Sequence, residues 1–178
     1  LVLSLALCHT VVLEQETGAF QSESPDEEAL VKAARDLGWA FRSRTNDVIT
    51  LESTQSSGSG NGSGSSVSDM THTVHTSRDT HIRKFELLAT IPFDSLRKRM
   101  STIVRDEEGD VFMICKGADS IIFERAVGFI GDVTREVMDA HLDLFATDGL
   151  RTLLISYRKL SPEQYFAFAK LWQNAKTS

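Results

Sequence analysis

Between Ser53 and Thr80 the chain runs through Ser, Gly, Thr and Asn, most densely in Ser56-Ser57-Gly58-Ser59-Gly60-Asn61-Gly62-Ser63-Gly64, with almost nothing to bury. Such a composition cannot offset the entropy lost on ordering, so residues 53–80 are expected to form a flexible loop. The stretch ahead of it, Thr10 to Glu52, is too short and strand-poor to close a core alone. The two sides must then share one sheet, with the loop inserted between two of its strands and a single domain spanning residues 1–178.

The flanking patterns give that sheet its elements. Ser24-Pro25-Asp26-Glu27 offers a cap former, a proline at the first helical position and acids in the first turn. Leu30, Ala33, Ala34 and Leu37 follow on one face, and Gly38 ends the helix. Trp39 to Ser43 and Val48 to Leu51 read as strands joined by Thr45-Asn46-Asp47. Beyond the loop, Phe85, Leu87, Ala89, Ile91 and Phe93 alternate with partly polar neighbours, the mark of a strand with one buried face. Met100 to Arg105 and Val111 to Cys115 flank the turn Asp106-Glu107-Glu108-Gly109. Helices are expected at Asp119 to Val127 and Thr134 to Thr147, the second with Val137, His141 and Leu144 in register. A strand from Arg151 to Tyr157 and a helix opened by Ser161-Pro162-Glu163-Gln164 complete the chain. Hairpins interspersed with helices predict an α+β fold, a largely antiparallel sheet of six to seven strands flanked by helices.

Composition narrows the function classes. The net charge of −6 opposes non-specific nucleic-acid binding, which depends on Lys and Arg neutralising phosphates. The apolar opening Leu1 to Leu7 breaks off at Cys8-His9-Thr10, well short of the roughly 18 to 20 residues of a membrane-spanning helix. The opening has neither Met nor the layout of a secretory signal, and the chain is expected to be a piece of a longer protein. Cys8 and Cys115 lie in apolar stretches without CxxC spacing, as reduced thiols do. His72, His75 and His81 in or beside the loop have no metal-ligand spacing, and His9 and His141 are expected at the core edge.

Four stretches carry more than composition does: Gln21-Ser22-Glu23-Ser24-Pro25-Asp26-Glu27-Glu28-Ala29-Leu30-Val31, Phe93-Asp94-Ser95-Leu96-Arg97-Lys98-Arg99-Met100-Ser101, Cys115-Lys116-Gly117-Ala118-Asp119 and Asp148-Gly149-Leu150-Arg151-Thr152-Leu153. In this order they resemble the nucleotide-domain motifs of P-type ATPases. Ser-Pro-Asp-Glu, Lys-Gly-Ala-Asp and the opening Leu-Cys-His-Thr-Val-Val look like the type IV branch, the phospholipid flippases. Leu96 departs from the family's usually polar turn.

The resemblance implies that Glu27 accepts a hydrogen bond from the adenine amine, that Phe93 stacks on the base, that Lys98 faces the phosphates, that Lys116 lies deep in the adenine pocket, and that Arg151 forks onto phosphate or ribose oxygens. Each has a plainer alternative in the residues alone. Ser24 and Glu27 have capping-box spacing, as Ser161 and Gln164 do. Phe93 shares parity with Ile91 and would pack inward. Lys98, entering a strand, points opposite to Arg97 and Arg99; the alternative for the cluster is a solvated basic strand end pairing with Asp or Glu, which Arg97 favours and which stays open for Arg99. Lys116 would be a surface lysine ending a strand, although Gly117-Ala118 beside it lets a ligand approach the backbone. Arg151 would pair with Asp148 or Asp119.

No Asp-Lys-Thr-Gly-Thr motif occurs, nor the glycine-rich GxxxxGK[ST] loop. The resemblance therefore implies that this chain holds ATP without catalytic residues of its own, positioning it for an aspartate on a separate phosphorylation domain. Mg2+ would travel with ATP and that domain. Partners would be the phosphorylation and actuator domains and an accessory subunit, and the location a cytosolic domain of an integral membrane protein. ATP affinity is expected on the order of 0.1 to 1 mM, since the partner domains add their contacts only on closure. Two alternatives stand beside this reading: the corresponding domain of a cation pump, and an interaction domain in which Phe93, Lys98 and Lys116 are ordinary core and surface residues.

Overall fold

The computed structural model describes residues 2–14, 16–22, 24–55 and 79–177. The elements in chain order are α1 (Val2–Leu7), β1 (Val12–Leu13), β2 (Phe20–Gln21), α2 (Pro25–Asp36), β3 (Trp39–Arg44), β4 (Val48–Gln55), β5 (Asp79–Asp94), β6 (Arg99–Arg105), β7 (Val111–Gly117), α3 (Asp119–Phe123), α4 (Arg135–Thr147), β8 (Leu154–Leu160) and α5 (Pro162–Thr177). Strands β3 to β8 form one six-stranded sheet in sequence order, with every neighbouring pair antiparallel, and β1 and β2 pair separately. This is the expected α+β architecture.

The central strands β6 and β7 are buried along both faces, so helices must cover the sheet twice. On one face Phe41, Ile49, Leu51, Phe85, Met100, Val104 and Ile114 pack with Ala6 and Leu7 of α1 and Val31 and Ala34 of α2. On the other, Ala89, Ile103 and Val111 meet Tyr165, Phe168 and Trp172 of α5, and Cys115 and Leu154 meet Ile122 of α3 and Met138 and Leu142 of α4. Each fully buried Leu, Ile or Val contributes roughly 1.5 to 3 kcal/mol of burial.

Several expectations need correction. Strand β4 continues to Gln55 and β5 begins at Asp79, because their backbones pair as far as Gln55↔Asp79. Only the outer residues of the expected loop are thus strand, and the expectation of a flexible loop otherwise falls on 56–78, outside the described residues. The alternation through β5 does not hold one face. A register shift between Leu87 and Ala89 inserts an extra residue, so Leu87 packs into the α1/α2 core while Ala89 enters the α5 core. Helix α3 ends at Phe123 instead of Val127, and β8 begins at Leu154 instead of Arg151. Helix α4 turns Met138 and Leu142, half-buried, to the sheet and leaves Val137, His141 and Leu144 exposed, because the sheet approaches from the neighbouring stripe. His9, expected at a core edge, is wholly enclosed. Both cysteines are free and buried. Among the described residues no helix is long and apolar enough to cross a membrane.

Candidate functional site

The antiparallel registers bring four strand ends into one row: Asp94↔Arg99, Arg99↔Gly117 and Gly117↔Leu154. Phe93 precedes the first of these ends, Lys98 the second and Lys116 the third, and Arg151 lies three residues before the fourth. The N-terminus of α2, with Asp26 and Glu27, faces the same end. Strand alternation puts Lys116 on the face of Ile114 and Phe112, the face that α1 and α2 cover. Its neighbours across the ladder are Met100 and Ile155.

There Lys116 Nζ donates to Glu27 Oε1 at 2.7 Å, with only 9% and 13% of the two side chains exposed. The other oxygen of Glu27, Oε2, accepts from the Thr10 hydroxyl at 2.7 Å and the Thr10 amide at 3.0 Å. Burial alone would raise the Glu27 carboxyl. The hydrogen bonds from Lys116 and Thr10 outweigh it and hold the group below the usual carboxylate value. Glu27 is therefore ionised and fixed in direction at neutral pH.

The capping-box alternative for Glu27 fails here. Ser24 is the N-cap of α2 by backbone geometry, but its side chain makes no capping bond, and Ser22 Oγ accepts from the Ser24 amide. Ser161 and Gln164 do form the reciprocal pair, the Ser161 amide donating to Gln164 Oε1 and the Gln164 amide to Ser161 Oγ. Glu27 is diverted because Lys116 and Thr10 are within reach, whereas α5 opens on the surface.

A second shift between Ile91 and Asp94 lifts Phe93 out of the ladder and leaves it 63% exposed, so its parity with Ile91 does not bury it. The turn that follows is held by Asp94 Oδ1, which accepts from the Leu96 and Arg97 amides at 2.9 Å. Lys98 lies in this turn with φ +50°, not in the strand, so strand alternation does not set its direction. Its carbonyl accepts from the Ala118 amide at 3.0 Å, which ties the turn to the end of β7. Gly117 is explained by the same approach: a Cβ there would stand 2.4 Å from the Lys98 carbonyl oxygen. The small residue makes room for the close approach of its own chain. Arg151 pairs with Asp26 at 3.0 Å, not with Asp148 or Asp119, and its side chain remains 85% exposed.

Glu27 and Lys116 are thus in direct contact, Arg151 bridges to the residue beside Glu27, and Phe93 and Lys98 border the same sheet end. Sequence reasoning gave Thr10 and Arg44 no part in the site and took His9 only for a core-edge residue. His9 Nε2–H donates to the Ala6 carbonyl at 2.8 Å, its Nδ1 accepts from the Val11 amide at 3.1 Å, and its ring meets Phe41 edge-on. Burial lowers its pKa to about 4, so the ring is neutral. Arg44 donates to the His9 carbonyl and, at 2.6 Å, to Thr90 Oγ1. The signal for His9 and Thr10 was the stretch Cys8-His9-Thr10 within the apolar opening, unusual in breaking an apolar run with two polar groups. A cleft of about 330 Å³ lies elsewhere on this face, between α1 and Phe85, Phe112 and Tyr157, and shares none of the five residues.

Comparison with known proteins agrees with this architecture. The family model of the P-type ATPase cytoplasmic domain N matches residues 1–177. The chain is 39% identical over 98% of its length to probable phospholipid-transporting ATPase 5 of Arabidopsis thaliana, of which the match covers 13%. It is 42% identical over 92% of its length to phospholipid-transporting ATPase DNF1 of Chaetomium thermophilum, covering 9% of that protein. It is 37% identical over 93% of its length to the human phospholipid-transporting ATPase ID, covering 12%. The chain therefore spans about an eighth or less of the curated relatives it matches, and within them it corresponds to one cytoplasmic module. With the match running through the sheet and all five converging residues, the chain belongs to the family of P-type ATPase cytoplasmic N domains.

Proposed function

We propose that this chain binds ATP at the sheet end bordered by Phe93, Lys98, Lys116, Arg151 and Glu27, as the nucleotide-binding part of a phospholipid-translocating P-type ATPase. The observation that carries the reading is the buried Lys116–Glu27 pair at the same sheet end as an exposed aromatic ring. A paired donor and acceptor, nearly dry, matches the edge of a base that carries both an amine and a ring nitrogen. Phe93 supplies a stacking face, and base stacking on an aromatic is worth roughly 1 to 3 kcal/mol. Lys98 and Arg151 then meet the phosphate and ribose oxygens, the first as a point charge and the second as a planar fork.

In this reading the chain's contribution is positioning. It grips the base and leaves the γ-phosphate free for an aspartate on the phosphorylation domain of the longer protein, whose cycling with the actuator domain moves the lipid. Among the described residues no three His, Cys, Asp or Glu side chains converge as metal ligands, and the reading gives Mg2+ to the ATP phosphates and the phosphorylation domain. The lipid substrate of this reading is taken from the relatives, which are phospholipid-transporting ATPases. The domain would lie on the cytosolic side of the membrane.

The test is an NMR titration of the isotopically labelled chain with ATP, repeated with Lys116→Ala after its fold is verified. Shifts clustered at Glu27, Phe93, Lys98, Lys116 and Arg151, lost in the variant, support the reading. A folded wild type that millimolar ATP leaves unmoved refutes it.

A further inference from the structure

We infer that Thr10 is a positioning residue for base selection: by occupying Glu27 Oε2 with two donors, it leaves Oε1 as the carboxylate oxygen available to the exocyclic amine of the nucleotide. This rests on the proposed adenine role of Glu27 and extends it to a residue that never touches the nucleotide. A carboxylate oxygen has about two lone-pair sites. On Oε2 both are taken, by the Thr10 hydroxyl at 2.7 Å and the Thr10 amide at 3.0 Å. On Oε1 one is taken by Lys116 Nζ at 2.7 Å, and one remains.

Thr10 can act as a fixed clamp because the segment carrying it is itself anchored. The Cys8 amide donates to the Ser4 carbonyl, and both ring nitrogens of His9 are engaged by Ala6 and Val11. Arg44 holds the His9 carbonyl, the peptide oxygen immediately before the Thr10 amide, while its other nitrogen is bonded to Thr90 on β5. The hydroxyl and amide of Thr10 thus face Glu27 from a peptide that the α1/α2 core and the sheet lock in place. Without the hydroxyl, Oε2 is held by the Thr10 amide alone, and the alignment of the carboxylate with the donor of the base loosens.

The test compares ATP with ITP, in which a carbonyl replaces the exocyclic amine, by titration of the labelled wild-type chain, Thr10→Val and Thr10→Ser. The expected result is that wild type prefers ATP and that Thr10→Val binds ATP about 5- to 20-fold more weakly, the loss of one charge-assisted hydrogen bond. ITP affinity stays within about twofold, since it presents no amine to Oε1. Thr10→Ser, which keeps the hydroxyl, restores the preference. A folded Thr10→Val chain with an unchanged ATP-to-ITP ratio overturns the inference, as does an equal loss for both nucleotides, the signature of a merely structural threonine. If Thr10→Val does not fold, Thr10→Ala removes the same hydroxyl without added bulk and is judged by the same ratio. A wild type that binds neither nucleotide refutes the adenine reading itself and this inference with it, an outcome distinct from a wild type whose preference survives Thr10→Val.

Discussion

Lys116 and Glu27, 89 residues apart in sequence, meet at 2.7 Å in a nearly dry position between β7 and the first turn of α2. Removing one partner of such a pair leaves a charge with little water around it, whereas replacing both removes the penalty. Lys116→Met should therefore destabilise the fold by about 3 kcal/mol, with Thr10 still bonded to Glu27. Adding Glu27→Gln to Lys116→Met should recover at least half of that loss. Urea unfolding of the two single variants and the double variant measures the coupling, and simple additivity would show that the pair is not coupled.

Stability should fall in two distinct pH windows. His9 has its folded-state pKa lowered from 6.5 to about 4 by burial, so between these values the unfolded chain binds the proton and the folded chain does not. Stability is thus present above pH 6.5 and lost as the pH falls towards 4, by about 3 kcal/mol in total. Glu27 adds a further loss below its unfolded value of 4.5, because its folded pKa is depressed and its stabilisation disappears as the pH drops through it. Chemical denaturation at pH 7.5, 5.5 and 4.5 follows the first window. His9→Gln should flatten that slope, and an unaltered slope would assign it to other groups.

Gly117→Ala should be among the more damaging single-methyl changes in the chain. The added carbon would stand 2.4 Å from the Lys98 carbonyl oxygen and 2.7 Å from Arg99 Cβ, so backbone must move; the expected loss is about 3 kcal/mol. Gly128→Ala is the control, since nothing lies within 4 Å of its Cβ position. It should be neutral or stabilising by up to about 1 kcal/mol. Melting curves of the two variants should diverge sharply, and similar curves would mean the Lys98 turn yields easily.

Phe93→Ala separates binding from folding. The ring is 63% exposed, so its removal should change stability by less than about 0.5 kcal/mol, as surface substitutions do. ATP affinity should fall by about 5- to 100-fold if the ring stacks on the base. Arg151→Ala should likewise spare the fold, its pair with Asp26 being largely solvated, while weakening ATP more than adenosine. Calorimetric titration with both ligands gives the contrast, and equal weakening would place Arg151 away from the phosphates.

The elements were legible where local chemistry decides them. Ser24-Pro25 and Gly38 bounded α2, the acid-rich turn at Asp106 to Gly109 joined β6 to β7, and Ser161 to Gln164 opened α5 with its capping box. The four motif stretches named the residues that meet at one sheet end, because strand order follows sequence order and the antiparallel ladders bring those ends together. Long-range packing decided the rest. A one-residue shift near Leu88 sent Ala89 to the opposite face from Leu87, and another left Phe93 outside the ladder, neither of which alternation registers. The stripe of α4 that faces inward was chosen by where the sheet lies, not by the helix's own periodicity. Ser24 and Glu27 have the spacing of a capping box, yet Glu27 turns to Thr10 and Lys116, since a buried carboxylate gains more from a cation and two donors than from a single amide. The sequence by itself determined most of the secondary elements and which side chains are candidates for the chemistry. Only the tertiary structure decided which of them touch, because a contact between residues 27, 10 and 116 depends on three separate segments converging in one core.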